Sequence, residues 1–168
     1  REYVVSEMKK ILGKNDIFFF NKGRDAIYLA LQALGMSQYD EVLVQAMTCG
    51  AVIAPISCLD AKPVYVDISK QTFNIDVQDL KRKISPDTKV LIVQHTFGKF
   101  ADMEEIQKIC KASGIKIIED CAHLFRNDLQ KTVVNRFSDI SIFSFAQDKA
   151  ISCVTGGLLV VNNIDYVE

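Results

Sequence analysis

The chain has 168 residues, 49% of them apolar and 24% charged, an ordinary soluble globular composition with length enough for one domain and a full core. Its net charge of −1 argues against nucleic acid as a partner held through a broad basic surface. No apolar run reaches the roughly 18–20 residues that span a membrane, and no basic segment leads into an apolar run and a small-residue cleavage site at the N-terminus, so no membrane partner is expected.

"REYVVSEMKKILG" reads as a helix already under way at Arg1, and the chain stops at Glu168 just past a strand-like run, so a fragment or isolated domain is expected. In "FFFNKGRDA" an apolar run gives way to Asn21, Lys22 and Gly23 and then to a helix. Through "GRDAIYLALQALG", Ile27, Leu31 and Leu34, with Ala26, Ala30 and Ala33 beside them, have helical spacing, and Gly35 fits a C-terminal cap. "DEVLVQA" reads as a strand. "CGAVIAPISCLDA" reads as a helix that Pro55 should kink or shorten. "KPVYVDI" is the next strand, and Asp76 can cap a helix through "VQDLKRKI". "TKVLIVQHT" has the length and apolarity of a buried strand. Asp102 opens a helix through "MEEIQKICKAS", closed by Gly114. "IKIIED", "FSDISIFSF" and "GGLLVVNN" complete the set of strands. This alternation predicts an α/β fold of three layers, a mainly parallel sheet with right-handed crossovers and helices on both faces. In such sheets ligands bind at the carboxyl ends of the strands.

Four segments bring polar groups to that edge. Gly23 permits close backbone approach, the amides at the start of its helix can hold a phosphate or carboxylate, and Arg24 can add a charge-assisted contact. Taken alone, a plain strand-to-helix turn is the commoner meaning of such a segment. Glu119 and Asp120 end a buried strand, and because successive residues face opposite ways only one of them can enter a given cleft. Asp120 either pairs with a cationic ring nitrogen of a ligand or caps a helix over "CAHLF", and these residues alone weigh equally for both. His123 lies near Asp120 if the chain turns helical, although a lone histidine is more often structural than catalytic. His95 and Thr96 in "QHTFG" are candidate cleft-wall residues. In "SIFSFAQDKAISCVTGG", Ser144 ends a strand and Lys149 follows among small residues, Ala146, Ala150 and Ser152, which leave room for a bound group. A lysine at the cleft can form a Schiff base when desolvation or a neighbouring cation depresses its pKa, but a solvated surface lysine is the commoner fate.

The five cysteines, Cys49, Cys58, Cys110, Cys121 and Cys153, are odd in number and widely spaced, without a C-x-x-C pair, and the only histidines are His95 and His123. That argues against a metal site and for buried thiols in a reducing cytoplasm. Dinucleotide, P-loop and nucleophile-elbow motifs are absent. A phosphate cradle, an aspartate and a lysine on one edge fit a single cofactor, pyridoxal phosphate.

Through these residues the chain resembles the DegT/StrS-type sugar aminotransferases, of pyridoxal-phosphate fold type I. The likeness runs through "NKGRDAIYLALQALG", "DEVLVQAMTCGAVIAPI", "AKPVYVDISKQTFNID", "ISPDTKVLIVQHTFGKFADMEEI", "GIKIIEDCAH" and "FSDISIFSFAQDKAISCVTGGLLVV", in that order. It implies an aspartate-aminotransferase-like large domain. It implies Lys149 as the Schiff-base lysine and proton carrier, and Asp120 as partner of the pyridine nitrogen. His123, where many members have Gln, would hydrogen-bond the cofactor's phenolic oxygen, and Ser144 with the backbone of Gly23 and Arg24 would hold the phosphate. Lys22-Gly23-Arg24 stands where many members carry Ser-Gly-Thr, with Arg24 replacing the lost hydroxyl ligand. Cys49 stands where members often stack an aromatic residue on the ring. A dehydratase branch has His in place of the lysine, so Lys149 argues for transamination.

The resemblance further implies that residues 1–168 are the cofactor-binding large domain with part of the N-terminal arm, that a C-terminal small domain is missing, and that this part alone transaminates poorly or not at all. The parent protein is expected to be a cytoplasmic homodimer moving an amino group, with glutamate as donor, to a keto sugar, nucleotide-linked. The alternatives are another fold-type-I enzyme, an amino-acid transaminase or lyase, and a non-catalytic binding or regulatory domain that keeps the fold.

Overall fold

The computed structural model describes residues 2–14, 16–124, 134 and 136–163. Helix α1 (Glu2–Leu12) leads into β1 (Ile17–Phe20), followed by α2 (Gly23–Ala33), β2 (Glu41–Gln45), α3 (Gly50–Ser57), β3 (Lys62–Val66) and α4 (Val77–Lys83). Then come β4 (Thr88–Gln94), α5 (Met103–Ala112), β5 (Lys116–Asp120), β6 (Ile140–Ser144) and β7 (Gly157–Val161).

The local signals act where they stand in the chain. Asp76 accepts hydrogen bonds from the amides of Gln78 and Asp79 at the start of α4, and Asp102 accepts from that of Glu105 in α5. These caps satisfy donors that have no intrahelical acceptor. After α2 the amide of Met36 donates to the Leu31 carbonyl at 3.1 Å and that of Gly35 to Gln32 at 2.9 Å. This double closure needs the left-handed backbone of Gly35, at φ 73°. Pro55 removes one helical donor, and α3 ends soon after it, at Ser57.

The strands form one sheet in the order β1-β7-β6-β5-β4-β2-β3. Neighbours from β3 through β6 pair in parallel, and β7 runs antiparallel to both β1 and β6. Hence β1 to β6 all direct their carboxyl ends to one edge. Side-chain alternation along the strands builds a core on each face. Val42, Val44, Ile92, Ile118 and Ile142 meet Ala26, Ala30 and Leu31 of α2 and Val52 and Ile56 of α3. Leu43, Leu91, Val93 and Ile117 meet Leu80 of α4 and Met103, Ile106 and Cys110 of α5. On that same side Met8 and Leu12 of α1 pack over Phe143, Leu158 and Val160. Each Val, Leu, Ile, Phe or Met among them contributes about 1.5–3 kcal/mol on burial. The predicted three-layer α/β architecture is the one observed.

The cysteine expectation needs correction. Cys110 and Cys121 are buried, with desolvation pushing the Cys110 thiol up to about 12, but Cys49, Cys58 and Cys153 are exposed. Cys49 precedes α3 at the carboxyl edge and Cys153 lies in the loop after β6, both outside the three buried clusters of the described residues. No helix among the described residues is long and apolar enough to cross a membrane.

Candidate active site

A cavity of about 570 Å³ opens at the carboxyl edge, between the turns entering α2 and α3, the ends of β4, β5 and β6, and the loop from β6 to β7. It brings together Gly23, Arg24, Cys49, Asp120, His123, Ser144 and Lys149 from segments far apart in sequence.

Helix α2 starts at this cavity with no side-chain cap, because Lys22, extended at φ −144° and ψ 154°, supplies none. First-turn amides lack intrahelical acceptors, so an uncapped start facing a cavity favours an anion. Gly23 makes the approach possible. A Cβ there would lie 3.2 Å from Ser144 Cβ and 3.4 Å from Ser144 Oγ. Gly157 matters from the other side, since a Cβ on it would fall 2.5 Å from the Lys22 carbonyl. Two glycines thus let β6, β7 and the start of α2 close around one small cradle.

Asp120 lines the cavity and is only 4% exposed. Its Oδ1 accepts the amide of Ala122 at 2.9 Å, and among the described residues it has no ion pair. Burial pushes its carboxyl up, with partial relief from the Ala122 amide, His123, His95 and Lys149. The two sequence readings of Asp120 therefore partly coincide. It does accept a backbone amide, in a tight turn closed by Leu124 N–H to the Cys121 carbonyl at 2.9 Å, and it still faces the cavity. The remainder of "CAHLF", at 125, lies outside the described residues.

Glu119 takes the opposite face of β5, as alternation requires, and it carries His95 with it. His95 is not a cleft-wall residue: it is fully buried, with Nε2 at 2.8 Å from Glu119 Oε1 and Nδ1 accepting the Ala101 amide at 3.1 Å. The amide takes the Nδ1 lone pair, so Nε2 carries the hydrogen and donates to Glu119. Ser138 and Ser141 hydroxyls donate to Glu119 Oε2 at 2.8 and 3.0 Å, and Asn162 Nδ2 donates to both serines. His95, Glu119 and Cys121 lie within 4.8 Å of one another, a spacing open to a metal, but the histidine and carboxylate are committed to this network. Glu119→Ala leaves the buried His95 Nε2 hydrogen and the Ser141 hydroxyl without their carboxylate acceptor, and is expected to destabilise the protein by about 3 kcal/mol, read as a lowered denaturant midpoint at unchanged slope.

Lys149 is not a solvated surface lysine. Its side chain is 17% exposed, in the cavity wall, with Nζ 3.1 Å from Asp148 Oδ2. That hydrogen bond holds the Asp148 carboxyl below its usual range. The loop itself is pinned by Lys149 N–H to the Ala146 carbonyl and Cys153 N–H to the Phe145 carbonyl. Cys49 lines the cavity too, its Sγ accepting the Ala51 amide at 3.5 Å as it caps α3. Sequence reasoning overlooked Thr48 and Gln94, whose Thr48 Oγ1 to Gln94 Oε1 bond of 3.1 Å crosses the cavity wall. Gln94 ends a buried strand at the carboxyl edge, which was the available signal.

Residues 5–168 match the DegT/DnrJ/EryC1/StrS aminotransferase family. The GDP-perosamine synthase of Escherichia coli O157:H7 is 38% identical over 143 residues, 85% of this chain and 39% of that protein. The UDP-2-acetamido-2-deoxy-3-oxo-D-glucuronate aminotransferase of Pseudomonas aeruginosa is 35% identical over 143 residues, 85% of this chain and 40% of that protein. The chain thus spans about two fifths of the length of these relatives. Among solved structures, NtdA from Bacillus subtilis with bound cofactor PMP superposes with a TM-score of 0.89 at 30% identity, over 98% of this chain and 37% of that one.

Proposed function

The chain belongs to the DegT/DnrJ/EryC1/StrS aminotransferase family, and from that premise we propose that it is the cofactor-binding large domain of a pyridoxal-phosphate-dependent aminotransferase. The substrate proposed is a keto sugar, nucleotide-linked, with glutamate as amino donor. The whole protein is proposed to be a cytoplasmic homodimer with a C-terminal small domain, consistent with the greater length of its relatives. The observation that carries the reading is a buried aspartate, Asp120, in the same cavity as the partly buried Lys149 and the Gly23–Ser144 cradle.

The residues present fit the cofactor. A buried carboxylate without an ion pair favours a cation beside it, which a protonated pyridine ring provides. The uncapped start of α2 and Ser144 Oγ suit a phosphate, and Arg24, in the same cavity, supplies a positive charge for it. Bound there, pyridoxal phosphate supplies an aldehyde carbon for a Schiff base and a ring that withdraws electrons. Lys149 Nζ, 3.1 Å from Asp148 Oδ2, would be the amine that holds the cofactor and would move a proton at the reacting carbons. Asp120 keeps a proton on the ring nitrogen. Cys49 offers a thiol on the cavity wall in place of a stacked ring.

The test uses the full-length protein. Pyridoxal phosphate should produce the absorbance band of a lysine-bound cofactor, and nucleotide-linked keto sugars with glutamate should be aminated. Turnover confined to 2-oxo acids would make it an amino-acid transaminase instead. A full-length protein that forms no band at all would favour the non-catalytic binding domain.

A further inference from the structure

His123 is gripped by a turn that the sequence did not mark. The turn Thr96–Gly98 has two successive left-handed residues, Phe97 at φ 53° and Gly98 at φ 79°. Asn74, 2% exposed, holds it on both sides: Oδ1 accepts Thr96 N–H at 2.8 Å and Nδ2 donates to the Lys99 carbonyl at 3.0 Å. Gln45 Nε2 adds a bond to Thr96 Oγ1 at 2.9 Å. Held so, the turn directs the Phe97 amide at His123 Nδ1, at 3.2 Å, and the two rings lie 4° from parallel. An imidazole nitrogen that accepts a hydrogen bond carries no hydrogen, so the neutral ring has its hydrogen on Nε2. His95 has the same arrangement, but its Nε2 is taken by Glu119. His123 Nε2 has no protein acceptor among the described residues, and His123 lines the cavity.

We infer that Asn74 and the Phe97 turn are positioning elements that lock His123 as an Nε2–H donor at the cavity. That its acceptor is an oxygen of the cofactor is what the family resemblance already implies, and to that extent the inference rests on the proposed function; the positioning device is what the structure adds. The lock also couples His123 protonation to the turn, because a proton on Nδ1 must displace the Phe97 amide. Among the described residues, the charged groups coupled to the ring are Asp120 on β5 and Asp148 on the loop after β6, Lys149 lines the same cavity, and Lys99 on the turn lies with its Nζ 5.7 Å from the Phe73 ring centroid.

The test is nuclear magnetic resonance of the ligand-free full chain carrying isotope-labelled histidine, with His123 assigned by its loss in His123→Gln. The expected result is an Nε2–H tautomer at His123 and a protected Phe97 amide whose protection disappears as His123 titrates. Asn74→Ala should speed exchange of that amide roughly tenfold, the equivalent of one hydrogen bond, while Asn74→Asp, which keeps the acceptor for Thr96 N–H, should retain most of the protection. An Nδ1–H tautomer, or a Phe97 amide indifferent to His123 titration in the unmodified protein, overturns the lock even if Asn74→Ala fails to fold. Addition of pyridoxal phosphate then separates the two readings. A band whose pH midpoint moves in His123→Leu and is restored in His123→Gln supports the donor role. A lock that holds in a protein forming no band refutes the cofactor, and a normal band without the lock refutes this inference.

Discussion

Replacing Lys149 by alanine is expected to abolish the absorbance band that pyridoxal phosphate produces and to lower amino transfer by at least ~10²–10⁴-fold, the range for removing a positioned proton carrier alone. The loss exceeds that range to the extent that the covalent attachment is also lost. The fold should survive. Among the described residues Lys149 has one ion-pair partner, Asp148, which is 68% exposed and returns to water when the lysine is removed. Stability should therefore fall by no more than about 1 kcal/mol, for the lost packing of the half-buried lysine stem. Lys149→Arg sharpens the result, since a guanidinium can keep the Asp148 contact but remains protonated and cannot attack a carbonyl. A band that persists in Lys149→Ala would overturn the assignment.

Asp120→Asn is expected to act in opposite directions on the empty and loaded protein. In the ligand-free protein, burial raises the Asp120 carboxyl above its unfolded value. The folded state therefore binds the proton more tightly than the unfolded one. Stability from this group is fully present below the unfolded pKa and is lost as pH rises through the raised folded value. Above the unfolded carboxyl's titration range the burial is therefore destabilising, and asparagine removes that cost while keeping Oδ1 for the Ala122 amide. Melting temperature without cofactor should rise and its decline with pH should flatten. Cofactor affinity should fall, by about 2–5 kcal/mol if the aspartate and ring nitrogen form a buried charge pair. Thermal melts with and without pyridoxal phosphate, across pH, check both halves. An Asp120→Asn protein that binds as tightly as the parent would leave the aspartate without its role.

Much of this protein was legible in one dimension. Helix ends at Asp76, Asp102 and Gly35 are local chemistry, decided within four or five residues, and each acts where the sequence placed it. The strand–helix alternation predicted the parallel sheet, and the rule that ligands sit at carboxyl ends brought Gly23, Asp120, Ser144 and Lys149 forward as candidates for one edge. The resemblance then implied what each would do. What the residues could not say is which side of the sheet each one takes. Alternation separates Glu119 from Asp120, but the pairing of β5 with β4 and β6, Asp120 opposite Gln94 and Ile142, sends Asp120 to the cavity and Glu119 beneath it. The same parity draws His95 away from the cleft, although its neighbours Gln94 and Thr96 remain in the wall.

Sequence alone thus determined the elements, their order and the edge at which chemistry gathers, because propensity, capping and hydrophobic period are short-range. The tertiary structure decided the faces and the partners: Glu119 with His95, Lys149 with Asp148, and Asn74 with the turn that holds His123. Apart from the adjacent Lys149 and Asp148, those contacts join residues more than twenty positions apart. They exist only once strands are in register and helices have covered both faces, and no local preference encodes them.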